Sequence, residues 1–109
     1  DEKMLENASE KGIQLMTGLR KLQEEYPQIG DVRGKGLMIG TEFIMDGKPE
    51  KAKPMVKEII HAAEENNLLL LSCGTYDNTI RWIPPLNVTS QQINEGLKIF
   101  GEALKETIK

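Results

Sequence analysis

Cysteine and histidine are nearly missing from this 109-residue chain, which has one of each, Cys73 and His61. A lone cysteine excludes a disulfide within the chain and fits a reducing compartment, so a cytoplasmic location is the expectation. Two such residues cannot complete a zinc ligand set. Aromatic residues make up only 5% of the sequence, too few to build base-stacking platforms. Positive charge is also short: the net charge is -3, and nucleic acid calls for a basic footprint. No apolar run approaches the roughly 20 residues that span a bilayer, and no basic segment followed by an apolar stretch marks a secretory leader. Neither nucleic acid nor a membrane is an expected partner.

The chain does have the material for a core, being 39% hydrophobic. A domain of this length buries roughly two-thirds of its unfolded surface, so residues 1–109 are expected to form one domain. The opening DEKMLENASEKG already has helical character and does not begin with Met, which suggests a piece of something longer.

Apolar periodicity orders the elements. Leu5, Ala8, Leu15, Leu19 and Leu22 recur at helical spacing, predicting a helix from about Glu2 to Glu25 that stops before Tyr26-Pro27. Gly12 and Gly18 weaken it by up to about 1 kcal/mol each relative to alanine, so the helix is expected to lean on tertiary packing. Two short strands follow, near Asp31–Arg33 and Leu37–Met45; in the second, Leu37, Ile39, Thr41 and Phe43 alternate with Met38, Gly40 and Glu42. Such alternation fits a sheet covered on one side. MDGKPEKAKP is a loop with Asp46-Gly47 as its turn. A second helix runs from about Pro54 to Asn66, its buried stripe Val56, Ile59, Ile60 and Ala63. Leu68–Leu71 is unbroken in its apolarity and predicts a strand buried on both faces. SCGTYDN is a loop, TIRWI a fourth strand, and Pro84-Pro85 ends it. Thr89 or Ser90 caps the last helix, with Thr89 and Gln92 placed for a capping box and Ile93, Leu97, Phe100 and Leu104 as its stripe. The order αββαββα predicts an α+β fold with a small, mostly antiparallel sheet of about four strands and helices packed against it.

Few residues suggest chemistry. Gly34-Lys35-Gly36 with Gly40 has neither dinucleotide nor Walker spacing, and no helix follows it; a tight connection needing a positive φ is the better reading. Cys73 with His61 as its base has no surrounding nucleophile signature, so Cys73 reads as a small, partly buried apolar residue and His61 as a helix flank. Glu6, Glu10, Glu24, Glu25, Glu64 and Glu65 fall on polar helix faces. Arg81 stands apart. It interrupts an apolar strand, cannot give up its charge, and is bracketed by two loops of the kind that shape a pocket wall. Spacing alone leaves it open whether Arg81 is a surface or internally paired arginine or an anion site.

Two longer blocks are informative together. VRGKGLMIGTEF (Val32–Phe43) and NNLLLLSCGTYDNTIRWIPPLNVT (Asn67–Thr89) resemble, in this order and spacing, the C-terminal part of class III pyridoxal-phosphate-dependent aminotransferases. Among these the similarity is greatest to 4-aminobutyrate aminotransferases, and it runs from LENASEKG at Leu5 through the final helix. The family usually has glycine where Asp77 stands, a small apolar residue at Thr79 and often Phe at Trp82, departures that bear on the choice of ω-amino substrate.

The resemblance implies the small C-terminal domain of a fold-type I enzyme, a homodimer with active sites at the subunit interface. Its substrates would be an ω-amino acid, with 4-aminobutyrate expected, and 2-oxoglutarate. The lysine that carries pyridoxal 5'-phosphate, and the groups that hold its ring nitrogen and phosphate, would lie in a large domain with no counterpart here, leaving this segment inactive alone. Of the family's functional residues only the carboxylate-anchoring arginine carries over, onto Arg81. A free-standing regulatory or oligomerisation module that binds a small amino acid, or a purely structural module with Arg81 in an internal ion pair, is also compatible with the element order and composition.

Overall fold

A computed structural model describes residues 2–108. Helix α1 spans Glu2–Glu25 and is followed by strands β1, Ile29–Lys35, and β2, Met38–Phe43. A 3-10 turn at Pro49–Lys51 leads into α2, Lys53–Glu65; strands β3, Leu71–Cys73, and β4, Thr79–Trp82, precede α3, Ser90–Thr107. The strands form one sheet in the order β1-β2-β4-β3, with every neighbouring pair antiparallel. The expected α+β architecture is therefore present.

Local chemistry sets the boundaries. Asp46 and Gly47 both have positive φ, 55° and 74°, in the turn closed by Met45 and Lys48, as an Asp-Gly pair favours. Asn67, at φ 67°, ends α2, its N–H donating to the Glu64 carbonyl. At α3 the Thr89 hydroxyl accepts from the Gln92 N–H while the Gln92 side chain accepts from the Thr89 N–H, a complete capping box.

The helices cover one face of the sheet. Ile39, Thr41, Phe43, Ile80 and Trp82 point into that core, where Phe100 of α3 meets Phe43 and Trp82 edge-on, with ring centroids 6.4 Å and 5.0 Å apart. A bulge in β1 between Ile29 and Asp31 inserts one residue and reverses the alternation beyond it. Ile29 and Val32 thus both face inward, while Asp31 and Arg33 face out.

Two expectations need correction. Leu68–Leu71 is not a doubly buried strand: pairing begins only at Leu71, and Leu69 and Leu71 are 80% and 61% exposed while Leu70 is buried. The run lies at the sheet's edge with helices on one side only, so alternate leucines face outward. Leu5 is also exposed, and the inner stripe of α1 is Ala8, Gly12, Leu15 and Leu19. Gly12 lowers the helix's own propensity, and it is also where α1 leans on tertiary packing. A Cβ there would lie 2.0 Å from the Gly36 carbonyl oxygen, so its missing side chain lets α1 approach the β1–β2 turn.

Candidate functional site: the open face of the sheet

The face turned away from the helices carries the polar side chains. Strand register fixes its layout. Arg33, Gly40, Arg81 and Leu71 form one row across β1, β2, β4 and β3, and Asp31, Glu42, Thr79 and Cys73 form the next. Lys35 and Met38 lie beyond the first row. A groove of about 400 Å³ runs over this surface, lined by Arg33, Lys35, Met38, Gly40, Cys73, Thr79 and Arg81 among others. Gly40 forms its floor. Lacking a side chain, it leaves space between the two arginines that flank it.

Arg81 projects from this face as its strand position predicts, with Ile80 and Trp82 buried on the opposite side. Its guanidinium has no hydrogen bond or ion pair among the described residues, where Arg33 pairs with Asp31 and Glu42, Lys53 with Asp77 and His61 with Glu65. Arg33 is bound differently. One of its terminal nitrogens lies 2.7 Å from a Glu42 carboxylate oxygen and 2.9 Å from one of Asp31. Hydrogen bonding to Glu42, and then to Asp31, holds the Arg33 guanidinium above its ordinary pKa. Of the two arginines in the row, one is neutralised by the chain's own acids and the other is left open.

The loop before β4 is fastened to the sheet. The Asn78 side chain donates to the Phe43 carbonyl at 2.9 Å, and the Phe43 N–H donates to the Asn78 carbonyl at 2.8 Å. Asp77 sits at φ 51°, a conformation that glycine adopts without cost and aspartate tolerates.

The other candidates resolve simply. Gly36 has φ +58° and turns β1 into β2, and Gly34 packs against the β2 backbone, where a Cβ would lie 2.3 Å from the Met38 carbonyl oxygen. His61 is exposed on α2 and contacts Glu65 at 2.8 Å, whereas Cys73 is half-buried in the groove; no hydrogen bond joins the two among the described residues. Glu64 and Glu65 are exposed, as are Glu6, Glu10, Glu24 and Glu25. No group of three or more metal-ligating side chains occurs among the described residues, and no helix there is long and apolar enough to cross a membrane. Arg33 and Glu42 were not singled out by the sequence. Alternation in IGDVRGK and MIGTEF could have placed them on one face, had the bulge at Gly30 been legible.

Pyridoxal phosphate needs a lysine presented in a protected cleft together with a phosphate cradle. No described lysine is buried, and the groove's Lys35 is exposed beside Met38. The described residues do not make a site for that cofactor.

This fold belongs to a known enzyme class. Residues 1–104 match the family Aminotransferase class-III, and the chain belongs to that family, whose enzymes depend on pyridoxal phosphate. The 5-aminovalerate aminotransferase DavT of Pseudomonas aeruginosa is 41% identical over 107 residues, which are 97% of this chain and 25% of that protein. The 4-aminobutyrate aminotransferase GabT of Escherichia coli is 40% identical over 106 residues, 96% of this chain and 25% of that protein. Among solved structures, N-acetylornithine aminotransferase from Stenotrophomonas maltophilia superposes with a TM-score of 0.86 at 30% identity, covering 99% of this chain and 28% of the other. The chain thus spans about a quarter of the length of the relatives it matches.

Proposed function

We propose that this chain is the C-terminal small domain of an aminotransferase that moves an amino group from an ω-amino acid, 4-aminobutyrate, to 2-oxoglutarate, and that Arg81 binds the α-carboxylate of the acceptor. The observation that carries this reading is the open guanidinium beside the Gly40 floor, on a sheet face that none of the three helices covers. A guanidinium offers two parallel N–H donors that match the spacing and plane of a carboxylate. A charge-assisted contact of that kind contributes on the order of 1.5–3 kcal/mol and fixes orientation as well as affinity.

The rest of the open face supports the same reading. Met38, Leu69 and Leu71 are each more than half exposed, as a surface made to receive the enzyme's large domain would be. That domain would supply the pyridoxal phosphate site, and a second subunit would complete a cytoplasmic homodimer. The names of the relatives favour a donor that is a short-chain ω-amino acid. Arg81 recognises the feature that the donor lacks and the acceptor has, a carboxylate next to the reacting carbon.

The test is a pair of assays. The enzyme containing this segment, given 4-aminobutyrate and 2-oxoglutarate, is expected to form glutamate. The 109-residue chain alone is expected to form none, and to give no saturable absorption with pyridoxal phosphate beyond that of a control with exposed lysines. Turnover by the isolated chain, or an enzyme that forms no glutamate from any ω-amino acid, would contradict the proposal.

A further inference from the structure

We infer that Arg33 is a positioning residue for the Arg81 site: by holding Glu42 on the short diagonal of the twisted sheet, it keeps that carboxylate from occupying Arg81. The inference rests on the proposed role of Arg81 as a carboxylate anchor.

Register supplies the first part of the argument. Gly40 is opposite Arg33 on one side and Arg81 on the other, and Glu42 is two residues further along β2 on the same face. Glu42 is therefore the diagonal neighbour of both arginines. Diagonal positions lie roughly 7–8 Å apart, within reach of long side chains, so Glu42 could pair with either.

Twist decides between them. A Cβ built on Gly40 would stand 3.3 Å from the Thr79 methyl, so the diagonal from Gly40 to Thr79 is the short one between β2 and β4. The Glu42–Arg81 diagonal crosses it and is the long one. Strands in a sheet twist with one hand, so the short diagonals run in the same sense across successive pairs. Between β1 and β2 that sense joins Arg33 to Glu42, where the contact is 2.7 Å. Asp31, directly opposite Glu42, would repel it, but the same Arg33 nitrogen holds Asp31 at 2.9 Å and offsets that repulsion. The two acids and one arginine form a closed set, and Arg81 is left out of it.

Remove Arg33, and Glu42 loses its partner while still facing Asp31. Arg81 is then the nearest remaining cation on the face, because Lys35 pairs with Met38, four residues from Glu42 along β2. An internal carboxylate at Arg81 competes with the acceptor's carboxylate and has no effect on a donor that lacks one at that end.

The experiment uses the full-length enzyme. Arg33→Met is expected to raise KM for 2-oxoglutarate by about 1.5- to 5-fold, the range for an exposed ion pair, with kcat and KM for the ω-amino donor unchanged. Glu42→Gln alone is not expected to raise it, and adding Glu42→Gln to Arg33→Met is expected to restore the original KM. Loss of groove charge in general is excluded by Lys35→Met: if bulk charge were the cause, Glu42→Gln would rescue this variant too, whereas here it is expected not to. A crystal structure of Arg33→Met is expected to show Glu42 within ion-pair distance of Arg81. Arg33→Gln replaces Arg33→Met if the latter does not fold. An unchanged KM in the Arg33 variants, no rescue by Glu42→Gln, or equal rescue of Lys35→Met would overturn the inference. Arg81→Met separates the two levels. If it leaves the 2-oxoglutarate reaction intact, the role of Arg81 itself fails; if it impairs that reaction while Arg33→Met does nothing, only the role of Arg33 fails.

Discussion

Arg81→Lys in the full-length aminotransferase is expected to slow the half-reaction with 2-oxoglutarate by about 10-fold or more, at about 1.4 kcal/mol for each factor of ten. The substitution keeps the positive charge but loses the planar fork, and a single ammonium cannot make two parallel hydrogen bonds to one carboxylate. The half-reaction with 4-aminobutyrate is expected to lose less, because that donor has no carboxylate beside its amine. Single-turnover kinetics of the two half-reactions, measured separately, check this. Equal losses in both would assign Arg81 to the fold or to the cofactor. Charge alone is a weak explanation of the site, since Arg33 and Lys35 line the same groove; Arg81 differs from Arg33 in having no acid among the described residues bound to it, and from Lys35 in carrying a planar fork.

The second large effect concerns stability. Gly12→Ala is expected to destabilise the fold by about 3 kcal/mol, at the upper end for overpacking, although alanine is the better helix former by about 1 kcal/mol. The new methyl would lie 2.0 Å from the Gly36 carbonyl oxygen and 2.7 Å from its carbon. These are backbone atoms in the turn at which β1 becomes β2, so they cannot rotate aside. Either α1 moves away from the sheet or the hairpin that carries Arg33 is displaced. Gly18→Ala is expected to cost less, because the atom it meets is a methyl of the flexible Leu97 side chain at 2.3 Å. Gly101→Ala is the control: its Cβ would make an ordinary contact with Leu22 at 3.5 Å, so the gain in helix propensity is expected to appear as unchanged or slightly higher stability. Urea unfolding of the three variants checks the order. A Gly12→Ala protein as stable as Gly101→Ala would show that α1 does not pack on the turn as described.

These glycines show where sequence reasoning stops. Periodicity in the first 25 residues predicts α1, and glycine's poor propensity marks Gly12 as a weakness in it. Propensity is a property of the helix alone, whereas the need for Gly12 comes from a turn 24 residues away. Leu68–Leu71 fails for a related reason. An unbroken apolar run is expected where both faces of a strand are covered, but here helices cover one face only, and Leu69 and Leu71 remain exposed. Local signals fared better. The Asp46-Gly47 turn, the Thr89–Gln92 capping box and the stop at Asn66-Asn67 each depend on residues within a few positions of one another, and each is present.

The site divides in the same way. Arg81 stood out because one residue in an apolar strand breaks a simple alternation, and its outward direction follows from that period. Arg33 and Glu42 did not stand out, because their meeting depends on the bulge between Ile29 and Asp31 and on the sense of the sheet's twist. Neither is written in a window of a few residues. Without the bulge, alternation continued from Ile29 would have turned Arg33 into the core.

The most direct measurement is a structure of the full-length aminotransferase with 2-oxoglutarate, or a non-reactive dicarboxylate of the same length, bound at its active site. The expected result is a bidentate contact between the Arg81 guanidinium and the carboxylate nearest the reacting carbon, with Glu42 still on Arg33. A dicarboxylate bound with both ends held by other residues, and Arg81 either free or paired with an acid of the enzyme, would contradict it.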